Sequence, residues 1–122
     1  MTSDVYEQLA DALDRLPNGF PRTESNVEIA ILRKIFSPEE ASLASQLSDH
    51  RESLDTIADR VGLSVEEAGR RLTDMAESGM VWFDQEAAKP RFRLAPFIVG
   101  IYEAQLQRMD HELAHLVEDY LA

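Results

Sequence analysis

A mainly α-helical fold with a small β-hairpin is predicted by three features of this 122-residue sequence. Apolar residues recur at helical spacing along most of the chain. Two of the helical segments meet at a tight turn containing Gly62, and after Gly79 the apolar period becomes that of strands. A helix-turn-helix followed directly by a hairpin is a winged helix. The prediction is therefore a single winged-helix domain over 1–122: an N-terminal helix and connector over 1–23, the core with its wing over 24–95, and a long C-terminal helix over 96–122.

The first helix is predicted from about Ser3 to Leu16, because Val5, Leu9, Ala12, Leu13 and Leu16 share one stripe. Pro17, Asn18 and Gly19 stop it, and Pro21 keeps the chain extended, with Phe20 as the connector's apolar anchor. A second, largely buried helix starts near Glu24 or Ser25 and carries Val27, Ile29, Ile31, Leu32, Ile35 and Phe36. Ser37 caps a third helix and forms a capping box with Glu40, and Pro38 suits the first helical position. The fourth helix, from about Leu54 to Val61, turns Leu54, Ile57, Ala58 and Val61 inward. Gly62 fits a left-handed terminus, and Ser64, in a second capping box with Glu67, starts the fifth helix, which ends at Gly79.

Met80 to Phe83 has strand composition, residues 84–89 read as a polar turn region, and Pro90 to Ala95 resumes as a second strand. There Phe92 and Leu94 share one face, and Arg91 and Arg93 the other, with Trp82 and Phe83 read as wing and core packing. The final apolar stripe, from Ile98 to Tyr120, predicts one helix of ~37 Å, longer than a small winged-helix core. Its far end then needs another surface. Either the first helix or a second copy supplies it, so a homodimer through the terminal helices is one expectation.

Composition narrows the function. The 23 acidic and 12 basic side chains give a net charge of -11, which opposes undirected binding to nucleic acid or anionic lipid. The absence of cysteine removes disulfides, thiolate metal sites and cysteine nucleophiles from these residues, and permits a reducing, cytoplasmic setting. No apolar run approaches the roughly 20 residues needed to span a bilayer.

DNA is the natural first partner for such a fold, with the second helix of the pair in the major groove and the wing on the backbone. Arg70, Arg71 and Thr73 stand on that helix, and Lys89, Arg91 and Arg93 on the wing. Residues 65–93 hold five bases and six acids, which makes this the least acidic stretch of the chain without making it basic. Glu66 and Glu67 sit at the helix N-terminus, where they suit the helix dipole and would repel phosphates. Charge thus disfavours DNA and favours a scaffold for protein contact.

His111-Glu112-Leu113-Ala114-His115 spells HExxH, whose histidines fall on one helical face and can share a zinc ion. Asp119 extends the stripe, so His111, His115 and Asp119 form a candidate metal set. A catalytic zinc site needs a third ligand and a cleft, which a terminal surface helix does not offer, so solvated histidines are the preferred reading and no catalytic residue is expected. His50 stands near the loop before the helix-turn-helix, and Ser37, Ser53 and Ser64 read as caps rather than nucleophiles.

The runs LPNGFPRTESNVEIAILRKIFSPEEASLA, AESGMVWF and LAPFIVGIYEAQLQRMDHELAHLVEDYL together resemble the N-terminal region of certain ferredoxin-like iron–sulfur proteins. In that family a winged-helix segment precedes domains that bind 4Fe-4S clusters. The similarity runs from Tyr6 to Leu121, and LPNGFP-x-TES and APF-x-x-GIYE are its most specific parts. The resemblance implies an accessory module for docking or regulation, whose partner is another protein or an iron–sulfur domain downstream in its own chain. The family's cluster ligands are cysteines farther along. This sequence has none, so no cofactor is expected in it.

Overall fold

The structure, a computed structural model, describes residues 4–16, 19–48, 50–86, 89–106 and 109–121. Helix α1 (Val5–Asp14) starts where the Asp4 carboxylate accepts the Tyr6 N–H at 2.7 Å, and it buries Leu9, Ala10, Ala12 and Leu13. Helix α2 (Val27–Ile35) begins at the first residue of its apolar row, later than the predicted start near Glu24 or Ser25, after Asn26 takes a left-handed conformation at φ 59°. Helix α3 (Pro38–Ser45) carries the predicted capping box in full: Ser37 accepts the Glu40 N–H, and Glu40 accepts the Ser37 N–H. The chain then forms strand β1 (Glu52–Ser53), too short to show any period in the sequence.

Helix α4 (Leu54–Val61) and helix α5 (Val65–Glu77) make the helix-turn-helix, joined at Gly62 with φ 76°. Gly69 lets them approach closely, since a Cβ there would lie 3.1 Å from Leu54 Cδ2. Strands β2 (Val81–Glu86) and β3 (Lys89–Leu94) form an antiparallel hairpin longer than predicted, taking in residues read as turn. With β1 they make a three-stranded antiparallel sheet in the order β1-β3-β2. Phe92 and Leu94 lie inward at 1% and 2% exposure, and Arg91 and Arg93, which alternate with them, face away, as the alternation required.

The predicted single C-terminal helix is the main correction. A π-helical segment (Phe97–Tyr102) leads into the short helix α6 (Glu103–Gln105), and α7 (His111–Leu121) starts afresh. Gly100 packs where a Cβ would be 3.1 Å from Ala95 Cβ and 3.2 Å from Trp82 Nε1. The Gln105 amide donates to the Ser78 carbonyl at 3.0 Å, and Asp110 accepts the Leu113 N–H at 2.7 Å to begin α7. The break lets α7 pack on α2, so the far end of the stripe finds a surface within its own chain.

The core is one cluster drawn from α1 to α3, the inner faces of α4, α5 and the hairpin, the π-helical segment and α7. Phe20 anchors the connector as expected, with its ring 4.7 Å from Phe97 and 5.2 Å from Tyr120. The Tyr120 hydroxyl donates to the Pro21 carbonyl at 2.8 Å. Burial, helped by the charges of Glu28 and Asp14, pushes this phenol up to about 12 from an ordinary 10. An acid raised on folding contributes stability that is complete below pH 10 and lost as pH climbs toward 12. Tyr120→Phe is therefore expected to cost about 1 kcal/mol at neutral pH and to flatten the alkaline decline. Urea unfolding at stepped alkaline pH reads both effects.

Among the described residues no helix is long and apolar enough to cross a membrane.

Candidate nucleic-acid interface

Helix α5 and the wing hold the residues that the sequence offered to DNA. Ser64 caps α5 by accepting the Glu67 N–H at 3.1 Å, but the second capping box is only half formed. The Glu67 carboxylate turns away from the cap to the next turn of its own helix. Its oxygens accept Arg70 Nη2 at 2.6 Å, Arg70 Nε at 3.2 Å and Arg71 Nε at 2.8 Å. Residues three and four apart meet on a helix face, so one carboxylate serves both arginines. Hydrogen bonds from Arg70 and then Arg71 hold the Glu67 carboxyl below its usual range, and Glu67 in turn raises Arg70.

The surroundings extend the neutralisation. Arg70 and Arg71 line an open groove between α3 and α5 together with Glu39, Glu40 and Asp74. Their guanidinium groups thus stand among carboxylates. Thr73 is exposed on the outer face of α5, as expected.

On the wing, Arg93 stacks over the Trp82 ring, with Cζ 4.3 Å from the centroid. Its Nε is buried without a hydrogen-bond partner among the described residues. Arg91 is exposed and makes no ion pair among the described residues. Arg51, beside β1, pairs with Asp84 of β2 at 2.6 Å. The Lys89 side chain lies outside the described residues. Trp82 does pack, beneath Arg93 and beside Gly100, whereas Phe83 departs from its predicted role and is 47% exposed.

The structure therefore divides the six candidates. Arg70 and Arg71 lie together but are tied to Glu67, Thr73 stands apart from both, and of the wing residues Arg91 alone is shown exposed and unpaired. The sequence spacing Glu67-x-x-Arg70-Arg71 was the legible signal of this tie.

His111, Glu112 and His115 of the HExxH run are exposed on α7. Glu112, which would activate water in a zinc enzyme, pairs with Lys34 of α2 at 3.2 Å, and Asp110 pairs with the same ammonium at 3.0 Å. Among the described residues no group of three His, Cys, Asp or Glu is arranged to hold a metal ion, and His111, His115 and Asp119 form no such group.

A carboxylate missed by the sequence reading proves the most buried charge. Glu28 is 0% exposed and accepts the Thr23 hydroxyl at 2.5 Å, the Thr23 N–H at 3.2 Å and Arg22 Nε at 2.7 Å. Arg22 also reaches Glu7 and Asp11, each at 3.4 Å, which fastens the connector to α1 and α2. Burial pushes the Glu28 carboxyl up, but the hydrogen bonds from Thr23 and Arg22 prevail and hold it below its ordinary value.

Fold and site together define a mainly helical protein with a small three-stranded antiparallel sheet, whose helix α5 carries internally neutralised arginines. No family model, curated protein or solved structure matches the chain.

Proposed function

We propose that this chain is a non-enzymatic interaction or regulatory module that uses the winged helix as a protein-contact scaffold. The resemblance seen in the sequence suggests an iron–sulfur redox protein as partner, either separate or downstream in the same chain. The observation that carries the reading is the Glu67 clamp on Arg70 and Arg71. A DNA-reading helix needs those cations free for phosphates, because each neutralised phosphate adds counterion release to the affinity. Here the counterion is already supplied by the protein. Five further cations are used in a similar way: Arg22, Arg33, Lys34, Arg51 and Arg60 are each paired with carboxylates.

A DNA-binding regulator is the second reading, favoured by the exposed, unpaired Arg91 and by the less acidic composition of residues 65–93. The clamp separates the two. Glu67→Ala keeps the Ser64 cap, which uses the residue-67 N–H, and frees both arginines. Wild type is expected to give no saturable binding to a mixed duplex DNA pool at low salt, and Glu67→Ala to bind it measurably, with an affinity that falls linearly with the logarithm of salt. If wild type and Glu67→Ala bind duplex equally tightly, the clamp does not suppress DNA binding and the protein-contact reading loses its support.

A further inference from the structure

Phe83 is one of the large apolar side chains that the fold leaves half in water, at 47% exposure. It lies on the inward face of β2, paired in register with Phe92, and the two rings meet at 5.3 Å. With Thr73, Ala76 and Glu77 of α5 it lines a mainly apolar cleft of about 280 Å³ between helix and wing. The cleft runs beside β2, the edge strand of the sheet. In an antiparallel ladder, alternate N–H and C=O groups of an edge strand point away from its neighbour. Among the described residues the outward groups of β2 have no backbone partner. An unpaired strand edge beside an apolar cleft suits an added strand, whose main chain extends the sheet while one side chain fills the cleft.

Charge chooses the occupant. Of the residues that line the cleft, Glu77 is an acid and none is a base. Arg51 neutralises Asp84, and the bases of the hairpin sit on β3, the inner strand. A second copy of this chain would bring the same carboxylates against these, on a molecule of net charge -11. A segment with basic residues around one large apolar side chain meets both the cleft and the field.

We propose that the edge of β2 and the cleft at Phe83 dock an extended basic segment of a partner protein, which pairs with β2 and inserts one large apolar side chain beside Phe83. This rests on the protein-contact reading and names the surface and the partner chemistry for it. The probe is a capped peptide of alternating lysine and apolar residues, acetyl-Lys-Val-Lys-Phe-Lys-Val-Lys-amide, titrated into the full chain and followed by backbone amide NMR.

Shifts are expected along Val81–Glu86 and the last turn of α5, with the β2 amides gaining protection from exchange. Phe83→Ser, whose side chain is half in water, and Glu77→Lys are each expected to weaken binding about tenfold while leaving the unbound spectrum folded. A peptide with glutamate for lysine is expected not to bind. Absence of binding, or shifts confined to other surfaces, overturns the docking site but leaves the protein-contact reading standing, because that reading is tested by duplex DNA and not by this peptide. A concentration-dependent doubling of mass without peptide, abolished by Phe83→Ser, would assign the edge to a second copy and overturn the proposal.

Discussion

Glu28→Ala is expected to lower the unfolding free energy by about 3 kcal/mol, read as a shift of the urea midpoint at constant slope. The carboxylate is wholly buried, and its removal leaves the Thr23 N–H without its acceptor, leaves the Thr23 hydroxyl only Ser25, and releases Arg22 Nε. Arg22 keeps a side-chain exposure of 33% and the nearby Glu7 and Asp11, so its own charge is not left without partners. The loss therefore comes mainly from the three hydrogen bonds withdrawn from Thr23 and Arg22 and from the slackened connector. Glu28→Gln retains an acceptor for Thr23 and is expected to lose about half as much.

The pH sign follows from the depressed carboxyl. A group lowered on folding contributes stability that is present above its ordinary value of 4.5 and lost as pH falls below it. The acid destabilisation of wild type should accordingly be shallower in Glu28→Gln. Asp4, Glu52, Glu67 and Asp110 are shifted in the same direction and keep part of the slope in both proteins.

Phe20→Ala is expected to cost more, about 4 kcal/mol, the usual range for removing a buried ring. Phe20 is 1% exposed and stacks between Phe97 of the π-helical segment and Tyr120 of α7. Its own N–H donates to Asp14 at 2.8 Å, which fixes the approach of the connector after α1. One side chain thus joins the connector, the π-helical segment and the last helix. Phe20→Leu fills part of the volume and is expected to recover more than half of the loss. Combining Phe20→Ala with Tyr120→Phe should give less than the sum of the single effects, since the rings are in contact.

The parts of the fold that were legible are those with local chemical signatures. The α4–turn–α5 unit carries a serine cap, an apolar stripe and a glycine at positive φ, and it appears at the predicted residues. The alternation of Phe92 and Leu94 with arginines placed the wing's faces. What was missed lacks such signatures. Two residues, Glu52 and Ser53, cannot display a strand period, and β1 exists because β3 offers a partner.

The C-terminal apolar stripe continues across the break at helical spacing, so periodicity alone reads one helix. The break is tertiary: Gly100 settles against Trp82, Gln105 turns to Ser78, and Asp110 caps a new start. Glu28 reads as a polar interruption in an apolar row, because its partners Arg22 and Thr23 stand in the preceding connector.

The candidate site was legible as a set of residues but not as a state of charge. Arg70 and Arg71 were found, and their neutralisation by Glu67 was hidden behind a competing local reading of the same glutamate as a capping-box partner. A helix N-terminus offers a carboxylate both choices, the cap's N–H and a cation one turn on. Two guanidinium groups outweigh one N–H.

The decisive measurement is the titration of wild-type protein into fluorescent mixed duplex DNA at low salt, followed by anisotropy. With its helix arginines clamped and its net charge of -11, the chain is expected to give no saturable binding. Saturable binding that weakens linearly with the logarithm of salt, and that is lost in Arg70→Ala or Arg91→Ala, would contradict the protein-contact role and assign the helix and wing to DNA.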